Sequence, residues 1–336
     1  MVEVLYDARW IGNHGIGRFA DELLKRLPSL TSFTSVRRPS HPFDPWLLGM
    51  MLRAKRPKLF FSPGYNSPIG YSGNFIFTLH DLHHLRVPDN SNAAKRAYYE
   101  HIIRPACRRA AFVLTVSEYS KTEIAAWARL DPAKIINVGN GVGCPFVPEG
   151  IKHQPGYPYI LYVGSSNPHK NLPRLLEAFK VSGVAKHVRL VISGKPSPPV
   201  VAQLQRLKLD GVVVFTGPVS NADLAALYRG ALAFVFPSLY EGFGLPPLEA
   251  MACGVPVLTS NVCAIPEVVA DAALLVNPHS TDEIAQGLTR IAGDSVLRDS
   301  LRHKGFLRAR VYTWDGTAGK VQGILQKAIA GTTEAT

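Results

Sequence analysis

The stretch that decides the fold is Glu241-Gly242-Phe243-Gly244-Leu245-Pro246-Pro247-Leu248-Glu249. It follows an apolar run, residues 231–236, whose length and composition predict a buried strand. A helix-like apolar pattern begins inside the stretch, and its two prolines suit a first helical turn, where backbone N–H groups lack partners. The sequence therefore predicts a strand, a glycine turn and a helix start in direct succession.

The predicted helix start carries backbone donors that can hold an anion. Because the two prolines have no N–H, the donors are those of Gly244 and Leu245, with Phe243 behind them. Donors that point out of a helix N-terminus favour a phosphate, and a diphosphate is the expected occupant. We expect Glu241, at the strand end, to face whatever the phosphate carries. We expect Glu249 in the first helical turn, where it can accept hydrogen bonds from the diol of a ribose.

Strand-like apolar runs alternate with helix-like stretches along the 336 residues, which predicts parallel sheets with crossover helices. A segment rich in proline and glycine, residues 145–158, separates two such series and is predicted to be an interdomain linker. The predicted fold is therefore α/β, with two facing doubly wound domains. Ligands of open α/β sheets lie beyond the carboxyl ends of the strands, which here means an interdomain cleft.

Several motifs together resemble one enzyme family. Residues 241–249 resemble the signature of the retaining glycosyltransferases of family 4, which have the two-domain GT-B architecture with Rossmann-like domains. Further segments match the family in the same order, at residues 12–18, 78–82, 116–121, 140–142, 163–171 and 217–220. The resemblance implies an N-terminal acceptor-binding domain over residues 1–150 and a nucleotide-sugar-binding domain over residues 158–312. It also implies a C-terminal helix, within residues 313–336, that returns to the N-terminal domain.

The resemblance also assigns donor contacts. It implies that the ammonium of Lys170, which follows a strand and precedes a helix, binds the donor phosphates. Many relatives place an arginine near Gly164, whereas this chain has Ser165 and Ser166, so hydroxyls, backbone N–H groups or His169 are expected to substitute. The remaining implied donor contacts are Gly15, Gly17 and Val219.

A polar cluster, His80-Asp81-Leu82-His83-His84, begins where a predicted strand ends. The resemblance implies that His80 contacts the donor sugar near its reacting carbon, and that Asp81 orients His80 or lies near the acceptor. The alternative is a metal site, because His80 and His84 have the spacing of a zinc-binding helical pair. That motif needs a helix through both histidines, and the sequence contains no Asp-x-Asp motif. We therefore predict no metal site, and no cofactor other than the donor substrate.

The resemblance implies transfer with retention of configuration, in which the departing phosphate oxygen accepts the acceptor's proton. The motif variant is most similar to bacterial transferases that use GDP-mannose or a related GDP-deoxyhexose. The expected acceptor is a lipid-linked glycan in cell-surface polysaccharide synthesis. Two alternatives remain open at this point: a nucleotide-sugar epimerase on the same scaffold, and a basic module that binds nucleic acid. The second leaves the two glutamates unexplained.

The net charge of +12 favours anionic partners. Apolar and basic residues interleave over residues 46–58 and again over residues 95–109, either as ordinary amphipathic helices or as contacts to an anionic bilayer. Residues 1–6 do not resemble a signal peptide, no apolar run reaches membrane-spanning length, and the four cysteines form no C-x-x-C pair. We expect reduced thiols and a cytoplasmic location, free or peripheral on the inner face of the cytoplasmic membrane, with no nucleic-acid partner.

Overall fold

The computed structural model describes residues 3–12, 14–35, 39, 41–165 and 167–333. The chain divides into two compact units, one made of Met1–Gly141 and Trp314–Thr336 and the other of Val142–Thr313. Each unit is built round its own six-stranded sheet, in which all pairings between neighbouring strands are parallel. The predicted α/β fold with two doubly wound sheets is confirmed.

The N-terminal unit has a sheet of order β2-β1-β3-β4-β5-β6. Its strands are β1 Val4–Asp7, β2 Leu30–Phe33, β3 Leu59–Ser62, β4 Phe75–Thr78, β5 Phe112–Thr115 and β6 Ile135–Asn137. Its helices up to residue 141 are α1 Gly15–Arg26, α2 Asp44–Lys55, α3 His83–Arg86, α4 Ala93–Tyr98, α5 Arg104–Arg109 and α6 Glu118–Ala128. The chain leaves β1 towards β2 on one side and continues to β3 on the other. The loops after β1 and β3 therefore meet at the point where the strand order reverses.

The C-terminal unit repeats this plan in the order β12-β11-β10-β7-β8-β9. Its strands are β7 Tyr159–Tyr162, β8 Arg189–Ile192, β9 Val213–Phe215, β10 Ala233–Phe236, β11 Val257–Ser260 and β12 Ala273–Val276. Its helices are α7 Leu172–Val181, α8 Pro198–Leu207, α9 Asn221–Gly230, α10 Leu245–Ala252, α11 Ile265–Val269, α12 Thr281–Gly293 and α13 Ser295–Ala309. The order reverses between β7 and β10, so the loops that follow these two strands meet at their carboxyl ends.

The last helix, α14 Trp314–Thr333, packs within the N-terminal unit. The ring of Trp314 lies edge-on to Phe19 of α1, with 6.5 Å between ring centroids. The guanidinium of Arg26 binds the carboxylate of Asp315 at 2.6 Å. These contacts join the two ends of the described chain within one unit.

The division between the units falls at Val142, earlier than the proline- and glycine-rich segment suggested. The guanidinium of Arg229, at the end of α9, donates to the backbone carbonyls of Pro145, Val147 and Ile151. The first part of the predicted linker is therefore bound to the C-terminal unit. The prolines mark an irregular path along this unit, and one of them, Pro145, follows a cis peptide bond.

The start of α1 depends on a close contact between two glycines. A Cβ atom on Gly17 would lie well inside contact distance of the backbone of Gly12. We expect Gly17→Ala to cost about 2 kcal/mol, the scale of overpacking, and to lower Tm in a thermal melt. Gly323→Ala is the matched control, because Gly323 is also helical and no atom approaches its added Cβ within 4 Å. We expect that control to gain roughly 0.5–1 kcal/mol from helix propensity, and equal effects of the two changes would contradict the packing explanation.

Candidate active site

Two predicted site residues form an ion pair where the sheet order of the C-terminal unit reverses. Lys170 follows β7 and Glu241 follows β10, and the Nζ of Lys170 lies 2.6 Å from the Oε1 of Glu241. Their side chains are 18% and 13% exposed. The hydroxyl of Ser238 donates to the same Oε1 at 2.7 Å. The sequence predicted each residue separately, and the structure brings them into direct contact.

The two loops that carry this pair are also bound to each other. Asn171 adopts the left-handed conformation, with φ 61°, which asparagine tolerates better than most residues. Its side-chain amide donates to the backbone carbonyls of Pro237, at 2.9 Å, and Pro278, at 2.7 Å. The N–H of Leu239 donates to the carbonyl of His169 at 2.7 Å. These bonds hold the Lys170–Glu241 pair in place, and neither Asn171 nor Ser238 was predicted as a site residue.

Two aromatic side chains contact Lys170 of this pair. The ammonium of Lys170 lies 5.0 Å from the ring centroid of Phe236, a favourable cation–π position. The hydroxyl of Tyr162 donates to the backbone carbonyl of Lys170 at 3.1 Å. Burial, with a smaller contribution from Glu241, raises the pKa of Tyr162 well above its ordinary value. Tyr162 is therefore a neutral hydrogen-bond donor that fixes the backbone of Lys170.

The predicted helix start is present at α10. Gly244 is the N-cap residue, with φ 103°, and a Cβ atom there would collide with the side chain of Ile265. The helix begins at Leu245, and two prolines follow within its first turn. The backbone donors at this terminus are thus those of Gly244 and Leu245, as the prolines predict. Phe243 is 5% exposed, and its ring packs edge-on to Tyr312 at 5.5 Å.

Glu249 lies in the second turn of α10, one turn later than expected, because the helix begins at Leu245. Its side chain is buried, at 4% exposure, within a helix whose surroundings are apolar. The hydroxyl of Tyr228 donates to its Oε2 at 3.2 Å. This hydrogen bond from a tyrosine of the neighbouring helix α9 fixes the orientation of the carboxylate.

The other donor residues predicted in this unit lie in exposed or partly exposed loops. Ser165 is exposed and follows β7, whereas Ser166 lies outside the described residues. Val219 is partly buried and immediately precedes Ser220, the N-cap of α9. Both positions follow strands at the carboxyl edge of the sheet, the edge at which the Lys170–Glu241 pair lies.

The loop at residues 12–18 of the N-terminal unit, which contains Gly12, Gly15 and Gly17, forms the start of α1. His14 is the N-cap of α1, and its Nδ1 accepts a hydrogen bond from the N–H of Gly17 at 3.0 Å. Gly17 is buried against Gly12, whereas Gly15 is exposed in the first turn. Of the two predicted donor contacts, the N–H of Gly17 is thus already used. Asn13, in the same loop, lies outside the described residues.

His80 is held at the carboxyl end of β4 as a neutral imidazole. Its Nε2 lies 2.9 Å from the carbonyl oxygen of Pro63, which can only accept, so Nε2 carries the proton. The ring also stands edge-on to Phe19 at 5.0 Å. Burial lowers the pKa of His80 from 6.5 to about 4, with His14 adding a smaller effect in the same direction. His80 therefore presents Nδ1 as a hydrogen-bond acceptor, which suits a sugar hydroxyl and does not suit a phosphate.

This assignment predicts how His80 titrates. Because its pKa in the folded state is lowered, its contribution to stability is present above pH 6.5 and is lost as the pH falls from 6.5 towards 4. We expect its ring ¹⁵N chemical shifts, assigned with His80→Gln, to stay those of a neutral Nε2–H tautomer down to pH 5. A midpoint for His80 near 6.5 would contradict the assignment.

Asp81 and His84 are directed to other partners. The Oδ1 of Asp81 accepts a hydrogen bond from the N–H of His83 at 2.8 Å, at the start of the short helix α3. The Nδ1 of His84 lies 3.0 Å from the hydroxyl of Tyr99. Within the described residues, no three His, Cys, Asp or Glu side chains are grouped to hold a metal ion. The two histidines spaced i, i+4 thus contact different groups. His80 contacts the backbone carbonyl of Pro63, and His84 contacts the hydroxyl of Tyr99.

A buried charge network at the end of β1 escaped the sequence analysis. The guanidinium of Arg9 binds both carboxylate oxygens of Asp7, at 2.7 Å each, and those of Asp44, at 2.6 and 3.1 Å. Both carboxylates are buried, and the amide of Asn66 donates to Asp44. The Asp-x-Arg pattern at the end of the first strand indicates a local ion pair. It does not indicate Asp44, which is remote in sequence. The network binds the first turn of α2 to the carboxyl edge of the sheet.

No helix in the described part of the chain combines the length and the apolar character that a membrane crossing requires.

Comparison with known proteins defines the class. A family profile described as "Glycosyltransferase Family 4" matches residues 6–144, and one described as "Glycosyl transferases group 1" matches residues 146–308. The solved structure of WaaG, a glycosyltransferase involved in lipopolysaccharide biosynthesis, superposes with a TM-score of 0.76 at 16% identity, covering 96% of this chain and 99% of that one. The fold is thus the GT-B fold, and the two loops that carry Lys170 and Glu241 belong to a glycosyltransferase.

Two curated relatives make the family explicit. The chain is 31% identical to O-antigen chain mannosyltransferase B of Escherichia coli, over 79% of this chain and 73% of that protein. It is 32% identical to O-antigen chain mannosyltransferase RfbU of Salmonella typhimurium, over 77% of this chain and 73% of that protein. The chain belongs to glycosyltransferase family 4, and the resemblance inferred from its motifs is confirmed.

Proposed function

We propose that this glycosyltransferase moves a hexose, mannose or a deoxyhexose such as rhamnose, from a GDP-linked donor to a lipid-linked glycan in cell-surface polysaccharide synthesis. The relatives above are named as mannosyltransferases of O-antigen chains, which supports the sugar and the pathway. The observation that carries the catalytic assignment is the Lys170–Glu241 ion pair beside the start of α10. A cation, backbone donors and a carboxylate meet there, as departure of a diphosphate from a sugar requires.

The leaving diphosphate is the group that needs positive potential. Gly244 and Leu245 offer backbone N–H groups at a helix terminus, and Lys170 offers a full charge from the facing loop. This charge is paired with the carboxylate of Glu241. A bound diphosphate competes for Lys170, so the ammonium bridges phosphate and carboxylate in the complex. Exposed Ser165 supplies a hydroxyl where many relatives carry an arginine.

Glu241 acts on the sugar in this proposal. Its Oε1 is held by Lys170 and Ser238, which leaves the carboxylate a fixed negative group close to the phosphate site. A fixed carboxylate stabilises the oxocarbenium-like charge that develops as the glycosidic bond to phosphate breaks. The acceptor hydroxyl attacks from the same face as the departing phosphate, whose oxygen takes the acceptor's proton, and configuration is retained.

The nucleoside is placed by the remaining residues of the C-terminal unit. Glu249, whose orientation is fixed by Tyr228, accepts a hydrogen bond from the ribose in this scheme. Val219 lies at the carboxyl edge after β9 and packs against the nucleoside. In the N-terminal unit His80 accepts from a sugar hydroxyl through Nδ1, and Gly15 and Asp81 contribute polar contacts to donor or acceptor. The enzyme works on the inner face of the cytoplasmic membrane, where its lipid-linked acceptor lies.

A thermal-shift screen tests the donor. We expect GDP and GDP-mannose to raise Tm more than the UDP and dTDP counterparts, because a ligand that binds only the folded state stabilises it by mass action. The same shift is expected in excess EDTA, since Lys170 and the α10 terminus supply the charge that a divalent ion would otherwise supply. A larger shift with UDP- or dTDP-sugars would overturn the nucleotide assignment. A shift that requires added magnesium or manganese would overturn metal independence.

A further inference from the structure

Helix α2 presents an apolar stripe to solvent. Phe43, its N-cap, and Trp46 and Met50 are 68%, 55% and 46% exposed. They follow one another at spacings of three and four residues, so they share one face of the helix, and Arg53 continues the same line. Large apolar side chains usually avoid such exposure when grouped, so the stripe indicates an interaction surface.

A basic cluster, Arg53, Lys55, Arg56 and Lys58, follows the stripe. All four residues are exposed, and residues 45–58 contain no aspartate or glutamate. Lys58 lies 3.8 Å from Glu3, whereas the salt bridges found among the described residues include none to Arg53, Lys55 or Arg56. The stripe and the cluster together form a surface with an apolar part and a positive part, which we call the α2 surface.

The second basic run of the sequence, residues 95–109, is used differently. Lys95 donates to Asn90, and Arg104 pairs with Glu100. Arg109 donates to the backbone carbonyls of Pro68 and Tyr71. These three cations hydrogen-bond within their own domain. The aromatic residues of this run, Tyr98 and Tyr99, are partly buried and buried, whereas the first run presents exposed apolar side chains beside its cations.

The opposite face of α2 is fixed to the N-terminal unit. Leu48 and Leu52 are buried in its core, and a Cβ on Gly49 would collide with the carbonyl of Ile69. Asp44, in the first turn, is bound by Arg9. The helix is therefore held rigidly, and the stripe is presented without the loss of conformational entropy that ordering a flexible segment would cost.

We propose that the α2 surface docks this protein onto an anionic lipid bilayer, with Phe43, Trp46 and Met50 inserted among the headgroups and the basic cluster against lipid phosphates. Apolar side chains on one helix face beside lysine and arginine are the pattern of helices that lie in the membrane interface. Tryptophan in particular favours the headgroup region. The inference rests on the proposed function and deepens it, because docking through the α2 surface brings the enzyme to an acceptor that is anchored in the membrane.

Vesicle co-sedimentation tests the proposal with the full chain. We expect binding to vesicles of phosphatidylglycerol and phosphatidylethanolamine, weakened by salt, and little binding to phosphatidylcholine alone. Trp46→Ser with Met50→Ser should reduce binding about tenfold or more through lost apolar insertion. Arg53→Gln with Lys55→Gln should reduce it about fivefold per charge. The matched controls, exposed Val311→Ser and Lys180→Gln in the C-terminal unit, should bind as the unchanged protein does.

Tryptophan fluorescence gives an independent reading. Of the four tryptophans, Trp46 is the most exposed, so quenching by brominated phospholipid should be strong and should disappear in Trp46→Phe. Vesicle binding unaffected by the four α2 substitutions would overturn the proposal. The proposal would also be overturned if substitution of the stripe changed the oligomeric state and left vesicle binding unchanged. It would be overturned as well if the protein bound single-stranded nucleic acid and no vesicles. Lipid binding needs no donor sugar, so failure of hexosyl transfer would reject the proposed function and leave this result intact.

Discussion

We expect Glu241→Ala to lower kcat by about 10²–10³-fold, the scale for removing one preorganised electrostatic contact to the transition state. The loss should fall on turnover and spare nucleotide binding. Glu241 forms an ion pair with Lys170, so its removal leaves the ammonium available to the diphosphate. The Kd for GDP, measured by calorimetry, should therefore stay unchanged or decrease, whereas kcat falls.

Two further variants sharpen this test. Glu241→Gln keeps the shape and the hydrogen bond to Ser238 but removes the charge, so it should lose nearly as much activity as the alanine variant. Glu177→Ala, at an exposed surface pair with Arg206, should leave kcat within about twofold, as surface ion pairs contribute little. Near-normal turnover of Glu241→Ala would remove this residue from the active site.

The second large effect is expected for Lys170→Ala, which should weaken GDP binding by roughly 2 kcal/mol or more, the scale of a charge-assisted hydrogen bond. The structure adds a reason for a large value. Without Lys170, the carboxylate of Glu241 remains in a largely buried position with no cation beside it, and it repels the incoming diphosphate. The measurement is the Kd for GDP by calorimetry.

The double variant separates the two causes. Lys170→Ala with Glu241→Gln removes the attraction and the repulsion together, so GDP should bind it more tightly than it binds Lys170→Ala. Lys180→Ala, an exposed lysine at the end of the next helix, is the control for general charge. An unchanged GDP dissociation constant in Lys170→Ala would show that the diphosphate binds elsewhere.

Local chemistry made parts of the site predictable. The prolines after Gly244 forecast both the helix start and its available donors, because proline restricts φ and lacks an N–H. The buried strands were recognisable as short apolar runs. The edge strands β2 and β6 are harder to recognise, since a strand paired on one side only, such as Leu30–Phe33, needs no continuous apolar sequence.

Long-range contacts were beyond the sequence. Lys170 and Glu241 are 71 residues apart, and their pairing follows from the strand order that makes β7 and β10 neighbours. The orientation of His80 depends likewise on a carbonyl after β3, and the position of Glu249 on the residue at which α10 begins. Motifs indicated which residues matter, whereas their mutual contacts required the fold.

Transfer with a ¹³C-labelled donor tests the proposed chemistry as a whole. The protein is incubated in EDTA with GDP-[¹³C]mannose and a detergent extract of lipid-linked glycans, and the configuration of the labelled product is read from the one-bond C–H coupling at its anomeric carbon. We predict a glycolipid product with the donor's configuration, formed about 10²–10³-fold more slowly by Glu241→Ala. An inverted linkage, label recovered only as an epimerised nucleotide sugar, or transfer that needs a divalent ion would contradict a retaining, metal-independent mannosyltransferase.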